Sequence, residues 1–265
     1  MPIRCAIYRV AHQSRIEQAT ECLRPEQVAL DAEEGKKTDL YCENTWSLKV
    51  MKQNDVVKEM LATIAELYET EANPQGPYTA KALLVAPFLA PFELAAPCAL
   101  DSDIRTILAA SSHPVARSVL AAQHLLNWGS NPVESNTQAE IAALISVLTL
   151  MGPDGPIIAP DLRLGLIYMK PYSYYPLHLH DADETYAIVS GQALWTAGNE
   201  TKMRGVGSMV HHPSLMPHAF RTGAEGFLAV WRWSGDINTH SYAFTETLET
   251  ALNPEAHPAE ISAIG

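Results

Sequence analysis

The stretch Met151-Gly-Pro-Asp-Gly-Pro156 constrains this chain most, because two glycines and two prolines so close together cannot continue a helix. The apolar pattern changes period across it. Before it, segments 12–33, 54–71, 102–127 and 137–151 carry apolar residues at spacings of three and four, the mark of helices. In the third, Ile104, Ile107, Leu108, Val119, Leu120 and Leu125 form a stripe that Pro114 must break or restart. Asn136 or Thr137 offers an N-cap for the fourth, and Pro and Gly clusters at 73–77 and 86–97 mark loops. After it come short runs rich in Val, Ile, Tyr, Trp and Leu at 162–169, 184–189, 192–197, 208–211, 218–222 and 226–233. Ser190-Gly191 and Ala197-Gly198-Asn199 read as hairpin turns. The expectation is a mainly β protein with α: a helical N-terminal region over 1–150, a β-barrel or sandwich over 151–240, and a tail over 241–265. That tail looks partly helical, and Pro254 and Pro258 loosen its end.

Charge narrows the partners. Eighteen basic against 30 acidic residues give a formal net charge of -12, which repels phosphate backbones and anionic lipid. Nucleic-acid and membrane partners are therefore not expected, and a small molecule is. The start, MPIRCAIYRVAHQSRIEQ, holds no apolar run of signal-peptide length, and nowhere do apolar residues run long enough to span a bilayer. Cys5, Cys22, Cys42 and Cys98 form no C-x-x-C pair and read as free thiols, so a cytoplasmic location is expected.

The chemistry concentrates in His178-Leu-His180-Asp-Ala-Asp-Glu184. On a strand, residues two apart share a face, so both imidazoles enter the same space. After a short turn Glu184 begins the returning strand, where its carboxylate can face them. Two neutral nitrogens and a carboxylate suit a divalent transition metal: Fe, Mn, Ni, Co or Zn. His218, at the start of a later strand behind Pro213-Ser-Leu-Met-Pro217, is the candidate fourth ligand. His211-His212 and the isolated His12, His113, His124, His240 and His257 read as surface or satisfied histidines.

These residues carry a resemblance. His178, His180, Glu184 and Gly191 meet the spacing HxH, three residues, Glu, six residues, Gly, which is similar to the first motif of the cupin superfamily. Gly207, Pro213 and His218 approach the second motif, with fifteen residues between Gly191 and Gly207. Three positions depart from the pattern: Tyr172 and Leu215 stand where the motifs have glycine, and Thr222 where the second closes on Asn. The resemblance implies a cupin β-barrel of jelly-roll type. Cupin fold alone does not fix function.

Tyr186 follows Glu184 by two and shares its face. It is either a core-filling aromatic or a phenol whose pKa a neighbouring cation lowers, which would make it a general base. The string Tyr174-Tyr-Pro-Leu-His-Leu-His-Asp-Ala-Asp-Glu-Thr-Tyr186, Trp231-Arg-Trp-Ser-Gly-Asp236, Asn127-Trp128 and Gly152-Pro-Asp-Gly155 resemble the cupin-type dimethylsulfoniopropionate lyases over about residues 115–236. That resemblance implies a metal held by the cupin ligands, Tyr186 as the base that removes the substrate α-proton, and Tyr175 and Trp233 in the pocket. It implies β-elimination of dimethyl sulfide from a small sulfonium carboxylate, leaving acrylate, and a homodimer at family level. A sulfonium suits aromatic faces, and Tyr172, Tyr174, Tyr175, Trp231 and Trp233 could cage it. Strict alternation puts Tyr174, not Tyr175, on the His178 face, unless Pro176 disturbs the parity. Two other readings use the same ligands: a lyase-like cupin acting on another small carboxylate, and an Fe(II)-dependent cupin dioxygenase.

Overall fold

The computed structural model describes the backbone of residues 35–245 and the side chains of residues 52–245. The expected helix 12–33 and most of the tail 241–265 lie outside the described residues. A division falls between Lys49 and Val50, and the sheet lies on its C-terminal side.

Helix α1 (Gly35–Glu69) buries Val57, Met60, Leu61, Ile64 and Tyr68, a three-and-four spacing that lines one face. Helix α2 (Gln75–Val85) begins inside the expected loop 73–77. Pro114 restarts the third segment as expected, splitting it into α3 (Asp101–Ala110) and α4 (Pro114–Ala122). Its missing N–H costs nothing at the first helical position, and the His113 ring accepts from the Val115 N–H to cap the turn. Among the described residues, no helix is long and apolar enough to cross a membrane.

The fourth segment is a correction. Only the short α5 (Ala139–Ala142) is helical, and strand β1 (Ile145–Gly152) follows, buried along its whole length. A strand covered on both faces shows an unbroken apolar run, and periodicity cannot separate that from a buried helix.

Strands β2 (Ile157–Ile158), β3 (Leu162–Met169), β4 (Tyr174–Leu179), β5 (Ala182–Ala197), β6 (Glu200–Gly205), β7 (Met209–His212), β8 (His218–Gly235) and β9 (Ala243–Phe244) complete one nine-stranded sheet. Its main path runs β2-β1-β3-β8-β4-β9, and β5 pairs with β8, β7 and β6. Gly198-Asn199 closes the β5–β6 hairpin as expected. Ser190-Gly191 does not turn the chain: β5 runs on through it, with register shifts on either side against β8. The bend needs a glycine, since a Cβ on Gly191 (φ 69°) would lie 2.2 Å from the Gly226 carbonyl oxygen.

Two cores use opposite faces of the sheet. On one, Leu162, Leu164, Leu166, Leu228 and Val230 pack with the helices. On the other, Ile188, Trp195, Phe220, Phe227, Trp231 and Trp233 form an aromatic-rich core that surrounds the candidate site. Gly165 fits Trp231 into it, because a Cβ there would meet the indole ring at 2.7 Å.

The two faces are coupled by a buried charge. Arg232 on β8 is fully buried on the helix side, and its Nη2 donates to Glu71 Oε1 at 2.6 Å and to Thr185 Oγ1 at 3.0 Å. Thr185 Oγ1 in turn donates to Glu71 Oε1 at 2.5 Å. Thr185 lies between Glu184 and Tyr186, so the loop after α1 grips the back of the strand that carries them. Without Glu71 the buried guanidinium is left with its bond to Ser234, its contact with Thr185 and a 3.5 Å contact with Asp183, and losing the best partner of a buried pair is costly. Glu71→Ala should lower unfolding free energy in urea by about 3–5 kcal/mol. Arg105→Ala, which breaks the surface pair with Asp101, should cost less than about 1 kcal/mol.

Candidate metal centre

Each strand brings one residue to the same point. His178 on β4 pairs in register with His218 on β8, and Glu184 on β5 pairs with His212 on β7 and Trp233 on β8. His178, His180, Glu184, His212 and His218 are all buried. Ligand atoms of His178, His180 and His218 lie within 4.8 Å of one another, as do those of Glu184, His212 and His218. Together these His and Glu side chains can coordinate a divalent metal ion.

Backbone carbonyls set the orientation of three rings. Nδ1 of His178 lies 2.8 Å from the Pro176 oxygen, Nδ1 of His180 lies 3.1 Å from that of Ala182, and Nδ1 of His218 lies 2.9 Å from that of Met216. A carbonyl only accepts, so each Nδ1 carries the proton and donates. Nε2 of each ring is then the atom left to face the centre. Glu184 is fixed just as tightly, because the Trp233 indole N–H donates to its Oε1 at 2.7 Å. Oε2 is left 3.1 Å from Nε2 of His180 and 3.0 Å from Nε2 of His218. The second contact is close but off-axis, and Nε2 of His218 makes no hydrogen bond among the described residues.

Lone pairs aimed at a carboxylate repel one another unless positive charge sits between them. Protons or a cation can supply it, and the borderline nitrogen and oxygen donors fit Fe, Mn, Ni, Co or Zn. The electrostatics favour ligation. Burial, then the charges of His218 and His180, hold His178 well below the ordinary imidazole value. Burial alone would raise Glu184, but the hydrogen bond to His180 and the nearness of the His218 ring outweigh it and hold the carboxyl well below its usual range. A neutral His178 and an ionised Glu184 are the forms that ligate a metal.

Beside Glu184 lies a cavity of about 30 Å³, lined by Tyr175, Tyr186, Trp231, Trp233 and Tyr242 among others. It has room for roughly one water. The Tyr186 hydroxyl reaches Glu184, and burial, then the carboxylate's charge, push this phenol well above its ordinary pKa in the metal-free protein. That is opposite to the lowering expected beside a cation. The Tyr175 and Tyr242 hydroxyls share a hydrogen bond of 2.6 Å, and burial first of all raises Tyr175 to about 12.

Several expected positions need correction. Tyr174 is not in the cavity: its ring lies under the Arg221 guanidinium, 4.0 Å away. Register shifts between Tyr175 and His178, so the bulge at Pro176 puts Tyr175 on the ligand face, 4.8 Å from the His178 ring. Tyr172 is 77% exposed and cages nothing. Trp233 touches the cavity but also fixes Glu184, a role the sequence did not reveal. Of the two alternatives for His212, a surface or a satisfied histidine, the second holds: it is buried against His218 and accepts from the Trp195 indole N–H. Its signal was alternation on a short strand, with Val210 buried, His211 exposed and His212 buried. Tyr242, stacked on His178 and His180, comes from a segment expected to be tail.

The missing motif glycines leave a mark. Tyr172 (φ 51°) and Leu215 (φ 62°) both take the left-handed backbone that glycine adopts without strain. Hydrogen bonds hold them there: the Leu215 N–H donates to the His180 carbonyl, and that of Tyr172 to Gly223. Thr222, in place of Asn, accepts from the Ser173 N–H and donates to the Lys170 carbonyl.

A family model described as dimethylsulfoniopropionate lyase matches residues 95–229. The chain is 32% identical over 140 residues to the dimethylsulfoniopropionate lyase DddQ of Ruegeria pomeroyi, covering 52% of this chain and 68% of that one. It is 33% identical over 88 residues to the putative dimethylsulfoniopropionate lyase DddL of Cereibacter sphaeroides, covering 32% of this chain and 37% of that one. The crystal structure of DddQ from Ruegeria pomeroyi superposes with a TM-score of 0.53 at 26% identity, over 72% of this chain and 96% of that one.

Buried histidines held neutral make the metal-free protein sensitive to acid. Burial lowers His178 and His212 in the folded state, while the unfolded chain takes up those protons below about pH 6.5. Their contribution to stability is complete above that value and declines below it. Glu184, also lowered, adds its loss only further down, below about pH 4.5. The chelated protein should therefore reach its urea midpoint at lower urea at about pH 5.5 than at about pH 7.5, and a midpoint independent of pH would contradict neutral burial.

Proposed function

We propose that this chain, which belongs to the dimethylsulfoniopropionate lyase family of the cupin superfamily, cleaves dimethylsulfoniopropionate to dimethyl sulfide and acrylate in a metal-dependent β-elimination. The observation that carries the reading is Tyr186. It stands on the same face of β5 as Glu184 and opens onto the cavity beside the converging imidazoles. We read the bent sheet as the cupin barrel, with His178, His180, Glu184 and His218 as the ligands.

A bound divalent cation supplies Lewis acidity toward a substrate carboxylate and turns the local charge from negative to positive, which favours the phenolate of Tyr186. The chain's own groups do the rest. Tyr186 takes the α-proton, the electron pair forms the carbon–carbon double bond, and the C–S bond breaks toward sulfur. Dimethyl sulfide leaves as a neutral molecule from a sulfonium cation, so the elimination needs no redox change. Trp231 and Trp233 present aromatic faces to the cavity, suited to a sulfonium.

A cavity with room for one water must expand to admit such a substrate. Tyr242 lies on the segment after β8, and its hydroxyl pairs with that of Tyr175. In this reading the pair separates as substrate enters, and the two hydroxyls exchange each other for the substrate.

Headspace gas chromatography tests the proposal directly. Metal-loaded protein given dimethylsulfoniopropionate should release dimethyl sulfide, and Tyr186→Phe should lower kcat by about 10²–10⁴ with bound metal unchanged. Release at full rate from Tyr186→Phe removes the base assignment. No release from the native protein points instead to another small carboxylate.

A further inference from the structure

The site offers two overlapping clusters, and the orientation of His212 decides between them. His212 and His218 stack with ring centroids 4.0 Å apart and planes inclined by 13°. An imidazole binds a metal in its own ring plane, at about 2.0–2.1 Å. Two nearly parallel planes so far apart meet only well beyond that distance, so one ion cannot lie in both. The other three rings differ. Their planes are inclined by 59° between His178 and His218, 86° between His180 and His218, and 40° between His178 and His180. Planes at such angles can share a point.

Hydrogen bonding gives the same answer independently. Trp195 Nε1 donates to Nε2 of His212 at 2.9 Å, and an indole N–H can only donate. That nitrogen's lone pair is spent, so the neutral ring carries its proton on Nδ1. Nδ1 is buried and has no hydrogen-bond partner among the described residues. His212 thus turns an N–H, not a lone pair, to its surroundings. Trp195 is fully buried and packs against Phe220 within the aromatic core, so this arrangement is held rigidly.

Resting on the metal-centre reading above, we infer that His212 is not a ligand: it is a positioning residue whose flat face sets the plane of His218, in the tautomer that Trp195 selects. Among the described residues this leaves one metal position, bounded by His178, His180, Glu184 and His218. A positioning role needs a flat ring but no ring nitrogen, and this separates it from ligation.

Cobalt(II) is the probe. The native full chain should bind one equivalent and show a d–d absorption band. His212→Phe should keep the equivalent and the band, whereas His212→Ala should weaken Co(II) binding by about 10–100-fold. His218→Phe should abolish the band. Loss or displacement of the band in a folded His212→Phe would overturn the inference, as would unchanged Co(II) binding by His212→Ala.

A measurement on the native zinc-loaded protein guards against variants that do not fold. Long-range ¹H–¹⁵N correlation should show three histidines with metal-shifted Nε2. A fourth, coupled through Nε2 to the Trp195 indole N–H, should carry its proton on Nδ1 and show no metal shift. A metal-shifted nitrogen in that fourth ring would refute the inference while leaving the metal centre standing. Failure of the native protein to bind either ion would remove the metal centre itself and this inference with it.

Discussion

Three imidazoles and one carboxylate are held close together in the buried interior of the sheet, and that crowding of ligand atoms organises the rest of the structure. Left alone, such groups would turn away. Each is prevented by a specific bond: the carbonyls of Pro176, Ala182 and Met216 hold the Nδ1 atoms, and the Trp233 indole holds Glu184. The fold therefore spends binding energy before any ligand arrives, which is the physical meaning of a preorganised site. A cation turns mutual repulsion into attraction.

The reverse side of the sheet explains how that tension is borne. Strand alternation sends Glu184 and Tyr186 one way and Thr185 the other, so the strand is gripped by Glu71 and Arg232 just behind the ligands. The Tyr68 hydroxyl adds a contact to the Thr185 carbonyl at 3.4 Å. The helical region so contributes to the centre without entering it. Left-handed backbone at Tyr172 and Leu215 belongs to the same economy: the turns that aim the ligand strands keep the shape glycine would give them, at some cost in strain.

Much of this was legible in the residues, for reasons that differ from element to element. The HxH spacing and Glu184 could be read because alternation on a strand is a rigid rule, and Pro114 because its effect on a helix is local. Strand β1 was misread because burial on both faces erases the period that identifies a strand. Tyr174 and Tyr175 could not be ordered, since a bulge at Pro176 shifts parity by an amount only the folded register reveals. His212 and Tyr242 were missed because their importance comes from what stands across the sheet. Ser190-Gly191 misled because the same dipeptide serves a reversal or a bend.

The central claim is a single point of convergence, and anomalous diffraction from manganese- or zinc-loaded crystals measures it most directly. One peak should appear about 2.0–2.2 Å from Nε2 of His178, His180 and His218 and from a Glu184 oxygen. A peak bonded to His212, or density showing these four side chains turned apart with the ion elsewhere, would contradict the account.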